Sequence, residues 1–177
     1  SKMKSAIQWG SWKVNTFTHC GRNVSRAPDM SVLVEQHTSV QKLKPVESET
    51  RKLDVPLSSS EVEGVRGLPG GLGWAANQTR PDACYGVSKL LSAINKKERG
   101  TLRRANKLLE KVQSEKVTLK FPSELDLDRA VIVTFSDASF ANRDDGFSQG
   151  GLIYTLMNPE ALQGKESPIS FVEWGSH

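Results

Sequence analysis

Apolar residues alternate with polar ones near both ends of this chain and recur at helical spacing between them, which predicts strands, then helices, then strands. Trp12, Val14 and Thr16 alternate with polar neighbours, Gly21 permits a turn, and Pro28-Asp29-Met30-Ser31 has turn chemistry before Val32-Leu33-Val34, so residues 9–36 read as a β-hairpin. Residues 44–60, with Pro45, Pro56, Ser58-Ser59-Ser60 and scattered charge, read as a surface linker. Ser60-Glu61-Val62-Glu63 has the form of a capping box with Ser60 as N-cap, and Val62, Val65, Leu72 and Ala76 follow on one helical face. Gly64, Gly67, Pro69, Gly70, Gly71 and Gly73 oppose that helix. An interior Pro costs about 3 kcal/mol and each Gly roughly 1 relative to Ala, which predicts a break near Pro69 and a further turn around Trp74. Thr79-Arg80-Pro81-Asp82 opens a helix with Cys84, Val87, Leu91 and Ile94 as its stripe, and Thr101 opens another with Leu102, Ala105, Leu109 and Val112. From Phe121 the pattern turns to β. Residues 130–136 are apolar almost throughout, as in a strand covered on both faces, and Leu152–Met157 and Ile169–Trp174 complete an antiparallel meander.

The fold class that follows is α+β. The charge distribution adds more than the composition does: 37% hydrophobic and 25% charged residues over 177 positions is ordinary for a globular chain. The net charge of +4 divides unevenly, with +3 over residues 1–88, +7 over 89–120 and −6 over 121–177. A basic middle beside an acidic end suits an anion-binding helix pair next to a cation-binding site. No apolar run approaches the ~20 residues of a membrane span, and no secretory signal is visible. Cys20 and Cys84 are too far apart in sequence for a Cys-x-x-Cys pair, and His19, His37 and His177 lack metal-ligand spacing, so neither a disulfide framework nor zinc is supported and a reducing compartment is expected. The mid-pattern start at Ser1 suggests an excised piece.

Two features carry chemistry. Asp137 follows Val131, Val133 and Phe135 at the same parity, which places a carboxylate on the core-facing side of a strand end beside the small residues Ala138 and Ser139. A buried carboxylate needs a partner or a cation, and magnesium tolerates a site with few protein ligands. Capping of a turn is the other reading of Asp137, and spacing leaves both open. Asp144-Asp145-Gly146 reads as a solvated loop tip. The second feature is the helix from Thr101, where Arg103, Lys107 and Lys111 stand at successive i, i+4 steps with Arg99 and Arg104 close by. Such a stripe neutralises phosphates without reading sequence, or is a solvated helix face; the local net of +7 favours nucleic acid.

These segments together resemble the Pol polyprotein of copia-type LTR retrotransposons over nearly the whole chain. Phe17-Thr-His-Cys-Gly-Arg-Asn-Val24 and Asp29–Gln36 are similar to the primer-grip strand pair. Leu68–Asp82, ending in Thr79-Arg-Pro-Asp82, is similar to the thumb, and Ala105-Asn-Lys-Leu-Leu109 to the next thumb helix. Phe135-Ser-Asp-Ala-Ser139 with Ser148-Gln-Gly-Gly151 looks like the opening of the tethered ribonuclease H domain. The resemblance implies a primer-grip-like end of the palm over 1–44, a thumb-like helical region over 45–120, and over 121–177 the first antiparallel strands of an incomplete ribonuclease H-like sheet. It implies a parent that copies RNA into DNA and cleaves the RNA of a hybrid in the cytoplasm, including virus-like particles. Its partners would be template–primer or an RNA–DNA hybrid and the remainder of the polyprotein, with no membrane. Asp137 would be the first catalytic acid and a magnesium ligand, the other acids following His177; the Tyr-x-Asp-Asp turn of the polymerase is absent, so this piece alone is expected to be inactive. Leu68-Pro-Gly-Gly-Leu72 replaces a leucine-rich run of the family and implies a kinked thumb. The alternative is a non-catalytic nucleic-acid-binding remnant of a decayed element. A phosphatase with Asp137 as nucleophile fits poorly, because Ser139 stands where such enzymes need a second acid.

Overall fold

A computed structural model describes residues 13–50, 52, 54–140 and 148–176. The chain is mixed α+β with two antiparallel sheets and a helical layer. Strands β1 (Thr16–His19) and β2 (Arg22–Arg26) form the expected hairpin, turning through Cys20 and Gly21, both at positive φ. β3 (Val32–Glu35) pairs with β2, and β4 (Leu119–Phe121) returns from far along the chain to pair with β3. Phe121, expected to open the last unit, therefore lies opposite Val32 in the first sheet. The short helix α1 (His37–Gln41) follows β3, and the His37 Nε2–H donates to the Val117 carbonyl at 2.9 Å.

Helix α2 (Ser59–Gln78) runs unbroken through Pro69, contrary to the predicted break. Its N-cap is Ser58, with Glu61 as the reciprocal partner, not Ser60 with Glu63. Tertiary packing overrides propensity here. Leu68, Leu72, Ala75 and Ala76 are buried in one cluster with residues of α3 (Cys84–Ala93) and α4 (Arg99–Ser114), and Pro69 is itself buried. Gly64 and Gly71 act as notches. A Cβ on Gly64 would stand 2.8 Å from Val46, and one on Gly71 2.6 Å from Leu43. Val46 belongs to the stretch that reads as a surface linker and Leu43 immediately precedes it, yet Leu57 is buried and both backbone groups of Val46 bond the Asn106 amide.

Pro81–Ala83 form a 3₁₀ turn ahead of α3. The face of α3 that packs inward is Cys84, Val87, Leu90 and Ala93; Leu91, expected in that stripe, is exposed and Ile94 only partly buried. In α4 the stripe Leu102, Ala105, Leu109 and Val112 is buried as expected, although the helix begins at Arg99, two residues before Thr101.

The second sheet is the meander β5 (Val131–Ser139), β6 (Gln149–Met157) and β7 (Ile169–Ser176), in the order β5-β6-β7. Its β5 is not covered on both faces: Ile132 is 71% exposed, and Phe135 is exposed as well. Trp174 anchors this sheet to the helices, its indole Nε1–H donating to the Ala76 carbonyl at 2.7 Å. The Cys84 thiol reaches the same carbonyl at 3.4 Å, and burial pushes that thiol's pKa up.

Candidate nucleic-acid interface

The outer face of α4 gathers most of the predicted cations. Arg103, Arg104, Lys107 and Lys111 are all exposed, while the opposite face of the helix supplies its apolar stripe to the core. Arg104 Nη2–H donates to the Thr101 hydroxyl at 3.1 Å. Lys111 approaches Glu115 at 4.0 Å, a solvated i, i+4 contact that leaves the ammonium accessible. The alternation of outward cations and inward leucines is what a 3.6-residue period produces from this sequence.

Arg99 does not belong to that face. It and Glu61 are each 2% exposed, and their side chains meet through Nη1–Oε1 and through Nη2–Oε2 at 3.0 Å. The remaining donors of Arg99 reach the Val55, Thr50 and Pro56 carbonyls and the Ser48 hydroxyl. A buried guanidinium with its donors engaged in this way cannot take a phosphate, so its expected nucleic-acid role is corrected to a structural one. The Arg99 guanidinium holds the Glu61 carboxyl down to about 2, against the opposing effect of burial. Glu61 also accepts from the backbone of Ser58 and Glu49, both at 2.9 Å.

The Thr79-Arg80-Pro81-Asp82 run is likewise a clasp. Thr79 Oγ1 donates to Gln36 Oε1 at 2.9 Å, and Arg80 bonds both Asp82 oxygens at 2.9 and 2.8 Å. Arg80 Nη1 reaches the Val112 carbonyl in the last turn of α4 at 2.6 Å. The same guanidinium holds the Asp82 carboxyl below its usual range. The run thus ties the end of α2 to the start of α1, to the turn before α3 and to α4.

Asp137 is exposed on β5, opposite Gly151 of β6, and one of its oxygens accepts from the Ala138 N–H at 2.9 Å. Asp137 shares the helix-facing side of the sheet with Phe135 and Trp174, as parity predicts, but it is not buried there, because that face opens onto a recess of about 330 Å³ beside α3. Among the described residues no group of three or more His, Cys, Asp or Glu is placed to hold a metal. A single carboxylate does not fit a two-metal site, so the described residues do not complete one around Asp137. Asp144, Asp145 and Gly146 lie outside the described residues.

One surface that the sequence did not single out is the outward face of α2. Arg66, Gly67, Gly70 and Trp74 are exposed there, and a Cβ on Gly67 or Gly70 would meet nothing within 4 Å. Trp74, 49% exposed, therefore borders bare helix backbone and offers a flat aromatic surface with room for close approach. The signal was present in the sequence as Gly67-x-x-Gly70-x-x-x-Trp74, but those glycines count as helix breakers until the helix is seen to continue. No described helix is long and apolar enough to cross a membrane. Comparison with protein-family models, with curated proteins and with solved structures finds no match to this chain.

Proposed function

We propose that this chain is a nucleic-acid-binding part of a retroelement reverse transcriptase, a primer-grip hairpin and thumb joined to the beginning of a ribonuclease H sheet. The observation that carries the reading is the outward basic face of α4, with Arg103, Lys107 and Lys111 at successive turns and Arg104 beside them. Lysine and arginine rows release counterions from a phosphate backbone and bind without sequence preference. The aromatic surface at Trp74 supports the same reading, since sugar and base faces stack on exposed indoles. The partners proposed are template–primer or an RNA–DNA hybrid, with the remainder of the polyprotein completing both activities in the cytoplasm or in virus-like particles. Asp137 is proposed as the first acid of the hybrid-cleaving site, its magnesium requiring acids that the described residues do not supply.

Fluorescence anisotropy with labelled RNA–DNA hybrids of two unrelated sequences tests this. Wild type should bind both alike, and Arg103→Ala/Lys107→Ala/Lys111→Ala should weaken affinity at least tenfold at low salt. Absence of binding, or unchanged affinity in the triple variant, would remove the reading.

A further inference from the structure

The recess at Asp137 has a wall that belongs to the helical layer. Pro81, Cys84 and Tyr85 line it on one side, and Phe135, Asp137 and Trp174 on the other. Tyr85 is 49% exposed, and its hydroxyl lies 3.4 Å from the Lys89 ammonium, which also sits 5.7 Å from the ring centre. Lys89 in turn faces a small groove between α3 and α4 whose other polar wall is Arg104. Gly86 lets Leu108 pack closely against α3 at this groove, since a Cβ there would stand 2.9 Å from Leu108. Arg104, Lys89, Tyr85 and the Asp137 recess are therefore contiguous, each touching or sharing a cavity with the next.

We propose that this series is a strand path: phosphates lie along Arg104, Lys89 and the Tyr85 hydroxyl, and the sugar–base side of the strand enters the aromatic recess at Asp137. The path rests on the nucleic-acid reading above and adds the route. Its chemistry is directional. Lys89 and the Tyr85 hydroxyl both donate hydrogen bonds, so together they match the oxygens of one phosphate. The ammonium is already oriented by the phenol, which reduces the ordering cost of the contact. Inside the recess Asp137 repels phosphate but accepts hydrogen bonds, and Phe135, Tyr85 and Trp174 present ring surface, so a sugar edge or base is the part of the strand that fits. Tyr85 and Lys89 are strand-binding residues in this scheme.

Amine footprinting of the full chain is the test. Acetylation of lysines, read by mass spectrometry, is compared with and without a saturating RNA–DNA hybrid. Lys89 should be protected several-fold while Lys165, exposed beyond β6, keeps its free rate. In parallel, Lys89→Ala/Arg104→Ala should lower the log–log salt slope of binding by about 1.4–1.8, the value for two phosphates. If the hybrid is bound but Lys89 acetylates at its free rate, or the slope is unchanged, the path is wrong while the nucleic-acid reading stands. If no hybrid is bound at low salt, that reading falls and the path with it.

Discussion

Arg99 engages its guanidinium on one carboxylate, three carbonyls and a hydroxyl, all drawn from residues 48–61. That makes it the nail holding the segment before α2 against the start of α4. Arg99→Ala would leave the Glu61 charge buried and unpaired, and should destabilise the fold by about 3–5 kcal/mol in chemical denaturation. The pair also sets an acid limit. Glu61 is lowered from 4.5 to about 2 in the folded chain, so its stabilisation is complete above about pH 4.5 and is lost as pH falls toward 2. Thermal melts between about pH 7 and about pH 2.5 should show this loss in wild type and a flatter acid limb in Glu61→Gln; equal acid limbs would contradict it. Trp74 makes a different kind of residue-scale prediction. If its exposed ring stacks on nucleic acid, Trp74→Ala should weaken hybrid binding by about 1–3 kcal/mol and change the melting temperature less than a core truncation would, since the ring is 49% exposed and belongs to neither buried cluster. Anisotropy and calorimetry on the same sample separate the two quantities.

At the scale of elements, α2 contains two kinds of glycine, and substitution should sort them. Gly67 and Gly70 face open space, so Ala at either should raise stability by about 0.5–1 kcal/mol through helix propensity. Gly64 receives the β-branched Val46, whose backbone is fixed to Asn106, so Gly64→Ala should lower the melting temperature. Identical shifts at Gly64 and Gly70 would show that the notch has no packing role. This contrast also marks where sequence was legible. The α4 stripe, the hairpin and the β5–β7 meander are local patterns, and each element forms within a few residues of where its period places it. The continuity of α2 depends on Leu43 and Val46, many residues upstream, and no window on the helix contains them. The capping box failed by two residues for a related reason: Ser58 and Ser60 both carry hydroxyls near an acid three residues on, and the choice of Glu61 follows from Arg99, distant in sequence.

For the whole molecule, the second sheet docks on the helices through Trp174 and the Ala76 carbonyl, which brings β5 and its Asp137 alongside α3. The cations of α4 were legible as surface because charge and helical period agree. The burial of Arg99 was not, because a basic residue at a helix start looks like its neighbours until its acceptors are known. The exposure of Asp137 was missed because parity gives a face of a strand and cannot tell whether that face is covered. If the proposed hybrid binding draws on the cations of α4, as phosphate neutralisation would, EDTA at matched ionic strength should leave the affinity unchanged. A phosphate backbone carried on the outward face of α4 is measured most directly by salt dependence. Titrating sodium chloride against hybrid binding, Arg103→Ala/Lys107→Ala/Lys111→Ala should show a log–log slope shallower than wild type by about 2–3, because three phosphates are no longer neutralised. Parallel titrations, with the same slope in both proteins, would contradict it.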